Sequence, residues 1–222
     1  MTDTPSLIRQ LAARARPVRP LASPLRRTAA WLAYAIAVVA AVIAAHGLQP
    51  GLGRTFATGM GALEFAASAA TGIAAAYAAF QVSVPGRSAH WRWLPLPFLL
   101  VWLGGLGVGC LADAARMGSA AFAMRGEVRE CALAISLVSL PMLAGMLLMV
   151  RHAGVVRPAS SAWLAMLAAA ALSSAGVSLI HEGESAWMAL VWHAGAVLLL
   201  SLVCLALGRP LFAWIGHARP DA

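Results

Sequence analysis

The sequence contains no lysine and only eight acidic residues among 222. All sixteen cationic side chains are therefore arginine, which together with the Ala and Gly content fits a GC-rich bacterial genome. With 61% of residues hydrophobic, a soluble domain of this size is excluded. Cysteines number three, and no specific metal motif surrounds them. There is no nucleophile elbow, phosphate loop, pair of catalytic carboxylates or HExxH motif, so nothing supports an enzyme or a bound cofactor. The first apolar run is long enough to span, and no A-x-A-like site in a polar stretch follows it. A cleavable signal peptide is therefore not expected.

Apolar runs dominate what is present. Six are long enough for spans of roughly 20 residues: 29–47, 58–84, 93–112, 131–150, 162–180 and 186–206. In lipid each must be helical, because a helix satisfies its own backbone polar groups. The expected fold is an all-α membrane protein, a six-transmembrane helical bundle with a short cytoplasmic N-terminal helix. It divides into an arm, 1–27, and a bundle, 28–222. With the N-terminus inside, twelve arginines flank the inner ends of the spans and four the outer ends. That asymmetry places both termini in the cytoplasm. Most of the positive charge is then topological, anchoring the chain to anionic lipid, and direct nucleic-acid binding is not required. Gly104, Gly105, Gly107 and Gly109 are expected to let helices pack closely.

The arm carries six of the arginines: Arg9, Arg14, Arg16, Arg19, Arg26 and Arg27. Thr4 as N-cap and Pro5 at the first position predict a helix over 5–16, stopped by Pro17. Leu7, Ile8, Leu11 and Ala15 share one face, with Arg9, Arg14 and Arg16 around it. Pro17, Pro20 and Pro24 then form a stiff spacer, and Arg26 and Arg27 reach the membrane surface. So short a helix is marginal alone in water, so a partner or the lipid surface is expected to complete it. The apolar set suits helix-in-groove docking, with the arginines facing an acidic surface.

Within the bundle, Glu64 is the one acid placed inside a span. It is either functional or a structural carboxylate near the outer end. His193, beside Trp192, reads as packed and hydrogen-bonded. Cys110 and Cys204 read as small apolar fillers. Cys131 is expected at the outer mouth of the fourth span, in an oxidising compartment. His181 and Glu182, at the outer end of the fifth span, are able to join Cys131 in holding a metal.

Several stretches resemble the NrsF-type anti-sigma factors, once a domain of unknown function. These are SLIRQLAARARPVRPL from Ser6, FQVSVPGR from Phe80, and the cysteine-led fourth span beginning at Cys131 with its proline and arginine-bearing exit. The tail from Leu179 to Trp214, with His181 and the Trp192–His193 pair, completes the set. The resemblance implies a multi-pass protein of the bacterial inner membrane that sequesters an extracytoplasmic-function sigma factor. Its arm would dock that factor through Leu7, Ile8, Leu11, Arg9, Arg14, Arg16 and Arg19, and an envelope stress signal would release it. The family's signal is tied to two cysteines; the first position here is Cys131, but the second is Glu182. Signal sensing by Cys131, His181 and Glu182 therefore stays open between a metal, pairing of Cys131 across a homodimer, and a relic. The alternative functions are a small six-span transporter or channel using Glu64, and an assembly subunit.

Overall fold

The computed structural model of the chain describes residues 3–14, 21–57, 59–122, 128–180 and 185–215. Among these there is no strand, and six helices are long and apolar enough to cross a membrane. The expected fold class is thus what the chain adopts.

Helix α1 runs Thr4–Arg14. It starts one turn position earlier than Thr4 capping would give, because the carbonyl of Asp3 accepts from the amides of Ser6 and Leu7 at 3.0 and 3.1 Å. Pro5 still falls in the first turn, where no intrahelical acceptor exists for its missing N–H. The expected stop at Arg16 and Pro17 lies outside the described residues.

Helix α2, Pro24–His46, begins five residues before the expected 29. Ser23 Oγ accepts from the amide of Arg26 at 3.4 Å, and Pro24 opens the helix. The last proline of the supposed spacer is therefore a helix start, and Arg26 and Arg27 ride on the helix itself. The helix closes at Gly47, whose φ of 82° favours glycine. A turn at Pro50–Gly51 leads into α3, Leu52–Ala57, a short helix the periodicity does not reveal.

Helix α4 spans Gly59–Val82 and α5 Leu96–Met117. The latter starts three residues later than expected because Ala89–Trp93 forms a separate 3₁₀ turn, leaving Pro95 and Pro97 at the helix start. Helix α6, Val128–Val150, contains Pro141, and α7, Pro158–Val177, has its proline in the first turn. Helix α8, Ala186–Ile215, continues nine residues past the expected 206 and includes a π-helical stretch at Ala189–Ala194.

Helix α7 is the hub, packed against α4, α8 and α6. Its alanines, from Ala162 to Ala171, are almost fully buried, and such small side chains let helix axes approach where lipid supplies no hydrophobic drive. Glycine completes the two closest crossings. A Cβ on Gly72 would lie 2.6 Å from Leu172 Cγ, and one on Gly208 would lie 2.5 Å from Ala159 Cα. The glycine row in α5 splits. Gly105 and Gly109 face neighbouring helices, whereas Gly104 and Gly107 meet nothing within 4 Å. The four do not share one packing surface, because 105 and 109 lie on one side of the helix and 104 and 107 on another.

Candidate functional site

The arm presents the apolar face the spacing predicts. Leu7, Ile8 and Leu11 are 45, 60 and 62% exposed, and α1 buries none of its residues. Arg9 and Arg14 are exposed, with Arg9 Nε donating to the carbonyl of Pro5 at 3.3 Å. Arg16 and Arg19 lie outside the described residues. Three apolar side chains left in water on one helix face cost solvation free energy that only a covering surface recovers.

Arg27 corrects the anchoring reading. It is 6% exposed, its guanidinium turned into the bundle rather than toward lipid. Nη2 donates to the carbonyl of Met149 at 2.8 Å, and the guanidinium carbon lies 4.6 Å from the Phe80 ring centroid. One turn on, Trp31 Nε1 donates to the carbonyl of Met142 at 3.0 Å; beyond it, Tyr34 Oη donates to that of Pro141 at 3.0 Å. Positions 27, 31 and 34 share one face of α2. That face is stitched along α6, donor by donor, onto backbone carbonyls. Gly145 admits the Tyr34 ring: a Cβ there would lie 2.7 Å from it. Sequence reasoning missed this seam. The available signal was three polar-tipped side chains at helical spacing in the first span, combined with the proline of the fourth.

Helix α6 also carries Cys131, ten residues before Pro141, or roughly 15 Å along the axis. Cys131 lies in the first turn of α6 and is buried there, 5% exposed. His181 and Glu182 lie outside the described residues, so their approach to Cys131 is not described. Among the described residues no three His, Cys, Asp or Glu side chains converge as metal ligands would.

Glu64 and His193 are brought together at the bundle end opposite the start of α2. They line one cavity of about 440 Å³ between α3, α4, α5, α7 and α8. His193 is 4% exposed and its Nδ1 lies 3.0 Å from Ser174 Oγ, as expected for a packed, hydrogen-bonded histidine. Asp113 was not singled out from sequence. Its Oδ1 accepts from Arg116 Nη2 at 2.7 Å and its Oδ2 from the amide of Ala186 at 3.3 Å, joining α5 to the start of α8. Gln49, 6% exposed, clips the turn after α2 onto the end of α7: its amide donates to Leu179 and its Nε2 to Ser178.

A family model described as NrsF, negative regulator of sigma F, matches residues 11–214. No curated protein matches the chain, and no solved structure does. The matched stretch takes in the last turn of α1 and all six spanning helices, the order of elements from which the resemblance was read. By that match the chain belongs to the NrsF family, the negative regulators of sigma F.

Proposed function

We propose that this protein is an anti-sigma factor of the bacterial inner membrane that holds an extracytoplasmic-function sigma factor through residues 1–27 and releases it on an envelope stress signal. The observation that carries the reading is the uncovered face of Leu7, Ile8 and Leu11 on a helix tethered just ahead of α2. Both termini are cytoplasmic in this reading, which follows from the arginine asymmetry. The apolar face supplies most of the binding energy; Arg9, Arg14, Arg16 and Arg19 supply orientation and on-rate against an acidic partner surface. The protein acts by occupancy and release, without catalysis.

Release requires an outer event to reach the arm. In this reading α6 is the receiving helix, with Cys131 in its outer turn, and the α2 seam is the transmitting element. Movement of α6 changes the distances to Arg27, Trp31 and Tyr34 together, and the arm follows α2. A signal acts only by interacting differently with two states of that seam. The test is a pull-down of the co-expressed sigma factor by the full-length chain and by Leu7→Asp with Leu11→Asp. Loss of capture with unchanged membrane insertion is expected. Retention by the double variant would show that this face is not the docking element.

A further inference from the structure

We infer that the cavity at the outer end of the bundle is a binding site for a small zwitterion, with its ammonium group held deep and its anionic group at the rim. The site does not rest on the arm's role, because binding is read on the purified chain alone.

Four membrane helices each turn a stripe toward this space. On α5 the stripe is Trp102, Leu106, Gly109, Asp113 and Arg116, positions that share one face and extend roughly 21 Å along the axis. Its deep end is apolar and aromatic, and its outer end is charged. Glu64 approaches from α4 at the level of Gly109: a Cβ on that glycine would lie 3.7 Å from Glu64 Oε1 and 2.8 Å from Ala186 Cβ. Gly109 is thus what admits the start of α8, with the carboxylate in ordinary contact distance of the same position. Ser174 and His193 close the far side, paired at 3.0 Å.

Polar groups at this depth are costly unless they face water, one another or a ligand. Farther in, Ala75, Ala76, Ala168 and Ala169 are completely buried, and the buried polar side chains there, Thr71, Gln81, Ser161 and Ser201, carry no charge. The two acids of these four helices, Glu64 and Asp113, both line the cavity.

The charges are ordered by depth. Glu64 sits about one turn deeper than Asp113, at the level of Gly109, and Phe56, Phe65 and Trp102 also line the cavity. A carboxylate is the chemistry that holds an ammonium group, and aromatic walls favour a cation in the same space. At the rim, Arg54 and Arg116 are both exposed, and guanidinium groups are suited to carboxylate or phosphate. His193 occupies the π-helical stretch of α8, a departure from α-helical register that recurs where a side chain is aimed at a site. The volume falls within the range of small-molecule sites.

A zwitterion of this kind is either free, as an amino acid, or membrane-borne, as an ethanolamine phospholipid headgroup. The experiment uses full-length protein in nanodiscs, probed by isothermal titration with L-alanine and L-phenylalanine. Ethylamine and propionate, each bearing one of the two charges, serve as controls. Parallel native mass spectrometry compares phosphatidylethanolamine with phosphatidylglycerol retention. Saturable binding of an amino acid, or selective retention of phosphatidylethanolamine, supports the site and identifies the source. Affinity should exceed that for the single-charge controls by on the order of tenfold and fall by a similar factor in Glu64→Gln. Arg54→Gln, at the exposed rim, gives the same reading if Glu64→Gln does not fold. Binding of neither class, or binding equal in both variants, overturns the proposal.

Discussion

Arg27 Nη2 donates to the main-chain carbonyl of Met149 at 2.8 Å, joining the first spanning helix to the fourth across 122 positions of sequence. This contact joins the first turn of α2, just after the arm in sequence, to the last turn of α6. Its guanidinium is buried, and Nη1 has no hydrogen-bond partner among the described residues. A buried cation with one group unmatched is a poor source of stability, but it is a specific link.

Stability and coupling should therefore separate at Arg27. Arg27→Met roughly preserves the volume and removes the charge, and should leave the stability, read from thermal melting in detergent, within about 1 kcal/mol of the parent. The same variant should shift sigma-factor release, read by a reporter in cells. A variant that melts normally and regulates normally sinks the coupling role.

Tyr34→Phe removes one hydroxyl from the seam and should cost about 1 kcal/mol. Trp31→Phe removes an indole N–H and part of a fully buried ring, and should cost about 2–4 kcal/mol. Because both donors act on adjacent carbonyls of α6, Pro141 and Met142, the two effects should be non-additive. Additivity in a double-mutant cycle would mean that the seam does not act as a unit.

Capture by the arm should respond differently to its two chemistries. Arg9→Gln with Arg14→Gln and Arg16→Gln should slow association and flatten its dependence on salt, because exposed charges act mainly on encounter. Leu7→Asp with Leu11→Asp should raise the dissociation constant by roughly 100-fold to 10,000-fold, from lost burial of about 1.5–3 kcal/mol per side chain. Surface-based kinetics with the full-length chain in nanodiscs reads both. Equal losses from the two sets would contradict the division of roles.

Glycines that differ only in rotation should differ in tolerance. Gly208→Ala drives a methyl into the backbone of Ala159, which has no means of yielding, and should cost about 1–3 kcal/mol. Gly107→Ala meets nothing within 4 Å and should be neutral or stabilising by a few tenths to about 1 kcal/mol, through helix propensity. Thermal melts in one detergent compare them directly; the opposite order would refute the α7–α8 packing.

Cys131, 5% exposed, should react slowly with a membrane-impermeant maleimide in resting cells and faster once the bundle is induced. Rapid labelling at rest would place the thiol outside the packed turn.

The spans were legible because each is a long apolar run, and the apolar face of α1 because Leu7, Ile8 and Leu11 recur at helical spacing. Their ends were less so. At Pro24, Pro95 and Pro158 the same residue marks either a spacer or a first helical turn, and the capping by Ser23 decides only once geometry is known. Of the cavity, Glu64 and His193 stood out as polar groups in apolar surroundings. Arg54, Asp113, Arg116 and Ser174 did not, because charges and hydroxyls near span ends look like ordinary interfacial residues until another helix faces them.

By itself the sequence determined the class of structure, the six spans and the exposed apolar face of α1. Lipid leaves a spanning backbone no alternative to a helix, and three-residue and four-residue spacings define a face without reference to any other element. Tertiary structure alone decided how each helix is rotated and what it meets. Helices so uniformly apolar gain little from one orientation over another through burial, so small residues and single donors choose among them. That choice turned Arg27 inward onto Met149, buried Cys131, and gathered residues from 49 to 193 around one cavity.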